Sequence, residues 1–260
     1  MQKAGPSLFS GIVRKPRVSD AEWERHHQLC PECNPAALPC PRCKGAKLLS
    51  KRVGAGKFEY APCECQTQSL RRAQELYSGL SQVPPAQTFS ILNMTPENGE
   101  TILAAKDFAE NPTPYHILNI RGGVGTGKTH LLQAIGWGSL DMGRQPKFIS
   151  VARYLERLRS TYADDSPISF ESLYRPLEAA QMLLLDDIGA ERLTLWGQEQ
   201  LYKIVNHRYQ ERLPMAVTSN LDSAKAGDYY GERTADRLFD TGSGRVRVVS
   251  TGNVSYRTGR

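Results

Sequence analysis

The spacing of apolar positions along this chain changes several times, and each change marks an element. Within residues 66–80, Leu70, Ala73, Leu76, Tyr77 and Leu80 recur at helical spacing, which predicts a helix closed by the Pro84-Pro85 break. Ahead of it, residues 48–53 and 57–61 are strand-like and Gly54-Ala55-Gly56 supplies a turn, which predicts a hairpin. From Phe89 onward, short apolar runs alternate with helical patterns. Residues 116–120, 147–150, 182–185 and 215–218 read as strands, and residues 129–140, 152 to about 162 and 196–210 as helices. This alternation predicts an α/β core, a parallel sheet between helices. There is no internal repeat and no low-complexity tract.

Charge and cysteine content divide the chain in the same place. Residues 1–88 hold 13 Lys and Arg against 7 Asp and Glu, whereas residues 89–260 hold 20 of each. The whole net charge of +6 therefore belongs to the first third, which also holds all six cysteines. Such asymmetry predicts two modules, the basic one suited to an acidic partner or nucleic acid. The expected organisation is a weakly ordered N-terminus (1–29), a cysteine module (30–65), a linker helix (66–88) and an α/β domain (89–260). A hydrophobic fraction of 40% excludes wholesale disorder. No apolar run approaches the roughly 20 residues of a membrane span, and the N-terminus has no continuous apolar stretch of the secretory kind. A cytoplasmic protein with no membrane partner is expected.

In the α/β part, Gly122-Gly123-Val124-Gly125-Thr126-Gly127-Lys128-Thr129 fits G-x-x-x-x-G-K-[ST] between a predicted strand and a predicted helix. Glycines let backbone N–H groups curl around phosphates, and the helix N-terminus adds positive potential. Lys128 is placed to reach the β- and γ-phosphates of ATP, and the Thr129 hydroxyl to ligate Mg²⁺. Downstream, the apolar strand at Leu183-Leu184-Leu185 delivers Asp186 and Asp187 to its C-terminal end, the edge at which open α/β sheets bind ligands. Asp186 then holds the metal and Asp187 orients or deprotonates the attacking water. Together the two motifs predict a nucleoside triphosphatase.

The cysteines predict a second metal. Cys40-x₂-Cys43 and Cys63-x-Cys65 flank the hairpin, so a ribbon would bring four thiolates to one end, where they can surround Zn²⁺ tetrahedrally. Cys30-x₂-Cys33 leaves alternatives open: a rival tetrad with Cys40 and Cys43, a second zinc shared with His26 or His27, or exchange with the first site.

Residues 151–162 carry Leu155 and Leu158 at burial spacing, leaving Arg153, Arg157 and Arg159 to face outward. Arginines track phosphates, and Tyr154 or Tyr162 can stack on a base. The alternative is a solvated amphipathic helix, with Trp196 as a core anchor.

Several blocks resemble one family. Gly125-Thr126-Gly127-Lys128-Thr129-His130-Leu131, Asp186-Asp187-Ile188-Gly189-Ala190-Glu191 and Thr218-Ser219-Asn220-Leu221 are similar to the AAA+ core of DnaC/DnaI-type replicative helicase loaders. So are Asn206-His207-Arg208-Tyr209 and the stretch from Gly231-Glu232-Arg233 to Asp236-Arg237-Leu238. The likeness extends less selectively to IstB transposition helpers and to DnaA. It implies an AAA+ fold without a C-terminal lid, with Asn220 as the polar sensor between γ-phosphate and water. It further implies that Arg237 is the finger presented to a neighbouring subunit's nucleotide, with Arg233 one turn earlier as second candidate and Arg257 as a cis phosphate sensor. In the family, the segment holding Arg153, Arg157, Arg159 and Tyr162 and the loop with Thr194 and Trp196 line a single-strand channel. The N-terminal zinc domain of such loaders grips the helicase hexamer. The resemblance thus implies a self-associating, ATP-dependent helicase loader acting on single-stranded DNA, the alternative being a transposition helper on double-stranded DNA.

Overall fold

The computed structural model describes residues 42–43, 48–54, 57–80, 88–163, 167–190 and 192–255. The expectations for residues 1–29, Cys30, Cys33, Cys40, the two histidines and Arg257 lie outside these residues. The chain divides into two compact units, Met1–Ala73 and Gln74–Arg260. Among the described residues no helix is long and apolar enough to cross a membrane.

In the first unit, β1 (Leu48–Gly54) and β2 (Lys57–Pro62) pair antiparallel as expected, with Leu48 opposite Pro62 at the open end. Immediately after β2, α1 (Glu64–Ser78) begins. Its last turn already groups with the second unit. There Leu80 is fully buried, and Lys147 bonds back to the Tyr77 carbonyl while lying 4.6 Å from that ring's centroid.

The second unit runs α2 (Gly99–Glu110), β3 (Ile117–Arg121), α3 (Lys128–Asp141), β4 (Pro146–Ser150), α4 (Val151–Ser160), α5 (Phe170–Ala179) and β5 (Met182–Ile188). It continues through α6 (Leu195–Gln210), β6 (Met215–Ser219), α7 (Ser223–Tyr230), α8 (Glu232–Phe239) and β7 (Val246–Ser250). The five strands form one sheet in the order β4-β5-β6-β3-β7, and every pairing is parallel. Successive side chains of a strand face opposite sides. Leu183 and Leu185 therefore join the core beneath α4–α8, while Met182 and Leu184 join the core beneath α2 and α3. Burial on both faces is why this strand reads as an unbroken apolar run.

Arg208 has no exposed surface, and its guanidinium donates to the carbonyls of Leu177 and Ala180 at 2.9 Å and of Pro214 at 2.7 Å. It caps the C-terminus of α5, where a cation is favoured, and ties it to the α6–β6 turn. Burial pushes its pKa down to about 10, which leaves it charged at neutral pH.

One sequence expectation is corrected here. Tyr154 is buried in the core with Val151, Leu155 and Leu158, so it offers no face to a base.

Candidate nucleotide-binding site

β3 delivers the chain into the loop 122–127, and α3 starts at Lys128. The curl depends on left-handed backbone at Gly125 (φ 81°) and at Gly127 (φ 86°), the residue that caps α3. Gly122 is required for a different reason: a Cβ there would stand 2.1 Å from the Thr251 hydroxyl. Lys128 is buried, and its Nζ donates to the carbonyls of Gly122 (3.0 Å) and Gly123 (2.6 Å), so the ammonium is held inside the loop. Beside the loop, Ile91, Leu92, Ile102 and Leu131 wall an apolar cavity of about 240 Å³ that His130 also lines. The buried His130 Nε2 has no hydrogen-bond partner among the described residues.

The two acids stand on either side of a break in the ladder. The pairing of β5 with β6 shifts between Leu185 and Ile188, and Asp187 adopts a left-handed φ of 59°. Such a bulge re-aims side chains next to functional sites. Thr218 on β6 pins it: its buried hydroxyl donates to Asp186 Oδ1 at 2.8 Å and accepts the Asp187 N–H at 2.8 Å. Thr129 Oγ1 donates to the same Asp186 oxygen at 3.1 Å. The strand-borne acid and the helix-borne hydroxyl thus meet across 57 positions of sequence. Burial pushes the Asp186 carboxyl up, against the hydrogen bonds from Thr218 and Thr129. Two adjacent hard oxygens suit Mg²⁺, so the Thr129–Asp186 pair fits that ion. Asp187 is exposed, and Asn220, also exposed, follows β6, the next strand of the sheet.

The arginines on α8 stand apart from this loop. Arg237 meets Asp236 (2.5 Å) and Asn206 (3.4 Å) and lies 5.0 Å from the Tyr209 ring centroid. Arg233, exposed, sits 5.8 Å from the Tyr202 ring. None of these partners belongs to the P-loop.

On α4, Arg153, Arg157 and Arg159 are exposed as expected. Arg159 lies 5.2 Å from the Trp196 ring, and Tyr162 meets that ring edge-on at 6.0 Å. Trp196 is half-buried against the core, so it anchors and borders the cluster at once. Thr194, exposed, caps α6 by accepting the Gly197 N–H at 3.3 Å, which leaves its hydroxyl proton to donate.

In the first unit, Cys43, Cys63 and Cys65 are buried, and their sulfurs all lie within 4.8 Å of one another. Cys43 and Cys65 are 3.5 Å apart. Two bonds of about 2.3 Å at a tetrahedral angle would hold sulfurs roughly 3.8 Å apart, so the trio fits three corners of a zinc site. Cys40, the expected fourth ligand, lies outside the described residues.

The sheet order, the Gly-rich loop ahead of α3 and the acid at the end of β5 define an AAA+ P-loop nucleotide-binding core. The chain belongs to the family of IstB-like ATP binding proteins, whose pattern it matches over residues 67–260. The replicative helicase loader DnaC of Buchnera aphidicola is 29% identical over 134 residues, covering 52% of this chain and 53% of that protein. The chain thus spans about half the length of this relative. A crystal structure of the DnaC helicase loader shares the fold, with a TM-score of 0.56, 20% identity and coverage of 64% of this chain and 97% of that one. Domain III of the Thermotoga maritima replication initiation protein DnaA gives a TM-score of 0.55 at 27% identity, covering 64% and 67%.

Sequence reading missed two residues of the site. Thr218 stood within a recognised block but carried no assigned role, and Thr251 stood in no motif at all.

Proposed function

We propose that this chain is an ATP-dependent loader of a hexameric replicative DNA helicase. Its buried cysteine trio, in a unit separate from the AAA+ core, carries the choice of loader over transposition helper: a small metal-stapled module ahead of an ATPase suits a grip on a protein partner. The likeness to DnaC supports the same reading, and the IstB-like family match supports the ATP binding that both readings share.

In this reading Lys128 and the N–H groups of the loop bind the phosphates of ATP, while Thr129 and Asp186 hold Mg²⁺, which shields the phosphate charge. Asp187 orients the attacking water and takes its proton, with Asn220 set beside it. Arg237 reaches the nucleotide of a neighbouring subunit, since its partners within the chain lie outside the P-loop; Arg233 is the fallback. Arg153, Arg157, Arg159, Tyr162 and Trp196 engage single-stranded DNA. Hydrolysis releases the loader from the helicase, and the protein works in the cytoplasm, where thiols stay reduced for the metal. With the full chain, the expected result is ATP-dependent transfer of a hexameric helicase onto single-stranded DNA coated with single-strand-binding protein. ATP-dependent polymerisation on duplex DNA, with no helicase retained or transferred, would establish the transposition-helper reading in its place.

Zinc has its own expected result. Elemental analysis of protein purified without added metal should find at least one zinc per chain. Structural zinc contributes folding free energy of about 10–16 kcal/mol in isolated finger peptides. Chelation should therefore unfold the hairpin region while the thermal transition of the AAA+ core persists. Zinc-free protein with an intact hairpin would remove the module's premise.

A further inference from the structure

The segment that follows β7 runs along the base of the P-loop. Ser250, the last residue of β7, sits beside Arg121, the last of β3, and the next residue continues the ladder: the Thr251 N–H donates to the Arg121 carbonyl at 2.8 Å. The Thr251 side chain then turns into the loop, with its hydroxyl 2.6 Å from that of Thr126 and 3.1 Å from the Arg121 carbonyl. Thr126 Oγ1 also lies 2.9 Å from the Gly123 carbonyl, and the Gly123 N–H donates to the Gly252 carbonyl at 3.0 Å. Both threonines are almost wholly buried, at 3% exposure for Thr126 and 4% for Thr251. From the other side, Thr101 of α2 donates to the Ser250 carbonyl at 2.6 Å and fixes the point from which the segment departs.

Two hydroxyl protons serve three contacts here. If Thr126 donates to Gly123, Thr251 donates to Thr126; if Thr251 donates to Arg121, Thr126 donates to Thr251. Of the two remaining combinations, one sets the oxygens 2.6 Å apart with no proton between them and the other sets two protons between them. The hydroxyl pair is thus bonded in both favourable arrangements.

Thr126 lies between Gly125 and Gly127, the two left-handed positions that curl the loop. We propose that Thr251 is a positioning residue for nucleotide binding: by holding Thr126 in the buried layer, with Gly252 holding Gly123, it keeps the P-loop in its phosphate-accepting curl before ATP arrives. This rests on the ATP-binding reading above and adds to it a residue 125 positions from its partner, outside both nucleotide motifs. A loop already curled loses little conformational freedom on binding, so the strap should act on affinity and leave turnover at saturation alone.

The test uses the full chain with ATP and Mg²⁺, affinity measured by calorimetry and turnover by phosphate release. Thr251→Val keeps the shape and deletes the hydroxyl. It should weaken ATP binding about tenfold, the factor that corresponds to one buried hydrogen bond. Turnover at saturating ATP should stay within about twofold, and Thr251→Ser should restore the affinity. Thr126→Ala, which empties the pair from the loop side, should give a similar loss, and combining it with Thr251→Val should add little. It also keeps the test decisive where Thr251→Val does not fold. Parent-like affinity in Thr251→Val overturns the proposal, and so does a fall in affinity that Thr251→Ser does not reverse. A parent protein that does not bind ATP at all overturns the underlying reading instead, which separates the two failures.

Discussion

Lys128→Ala is expected to weaken ATP binding at least about thirtyfold and to abolish turnover, because removing one member of a buried charge pair costs about 2–5 kcal/mol or more. In the structure Lys128 is 7% exposed, and its ammonium lies 3.0 Å and 2.6 Å from the Gly122 and Gly123 carbonyls. The two carbonyls hold it within the loop. Phosphate oxygens entering the curl would meet a cation that needs no long excursion to reach them. Gly125 and Gly127 supply the left-handed backbone of the curl. Calorimetric titration of the variant with ATP, alongside a thermal melt, separates lost affinity from lost fold. Near-parent affinity in a folded variant would rule out the loop as the phosphate site.

Arg237→Ala is the second large effect expected. A lone subunit should bind ATP as the parent does, while hydrolysis stimulated by DNA or self-association should fall roughly a thousandfold or more, the range seen for arginine fingers. The guanidinium is partly exposed on α8, oriented by Asp236, Asn206 and the Tyr209 ring. Mixing Arg237→Ala with Lys128→Ala should restore part of the turnover, because some junctions then pair an intact loop with an intact arginine. If Arg237 served only its own contacts, its loss would cost at most about 1 kcal/mol of stability, with hydrolysis intact and no gain on mixing. Arg233→Ala, tested the same way, decides which arginine is the finger. Normal stimulated hydrolysis in both variants would exclude the trans mechanism.

The cysteines and the basic excess both fall before residue 89, whereas the two compact units divide between Ala73 and Gln74, within α1. The sheet was legible because strands buried on both faces must be apolar throughout, as 182–185 is. Other elements were not singled out. β7 (Val246–Ser250) is short, with two charged or polar residues in five positions, and it becomes a strand only by pairing with β3. Tyr154 misled because tyrosine suits both a core and a nucleobase. Its membership in the 151, 154, 155, 158 stripe, spaced i, i+3, i+4, i+7, is what sent it inward. The cysteine trio shows the reverse case: C-x-C reads as an irregular spacing until Cys63 is seen to end the hairpin and Cys65 to open α1, which brings both sulfurs beside Cys43.

By itself the sequence determined the P-loop, because it is contiguous: its glycines set the curl, and its lysine and threonine open the helix that follows. Only the tertiary structure decided which other groups hold that loop and its acids. Thr218 reaches Asp186 across 32 positions and Thr251 reaches Thr126 across 125, contacts that exist because β6 lies beside β5 and β7 beside β3. Strand order is a property of how helices cross over the sheet, and no local pattern of residue types encodes it.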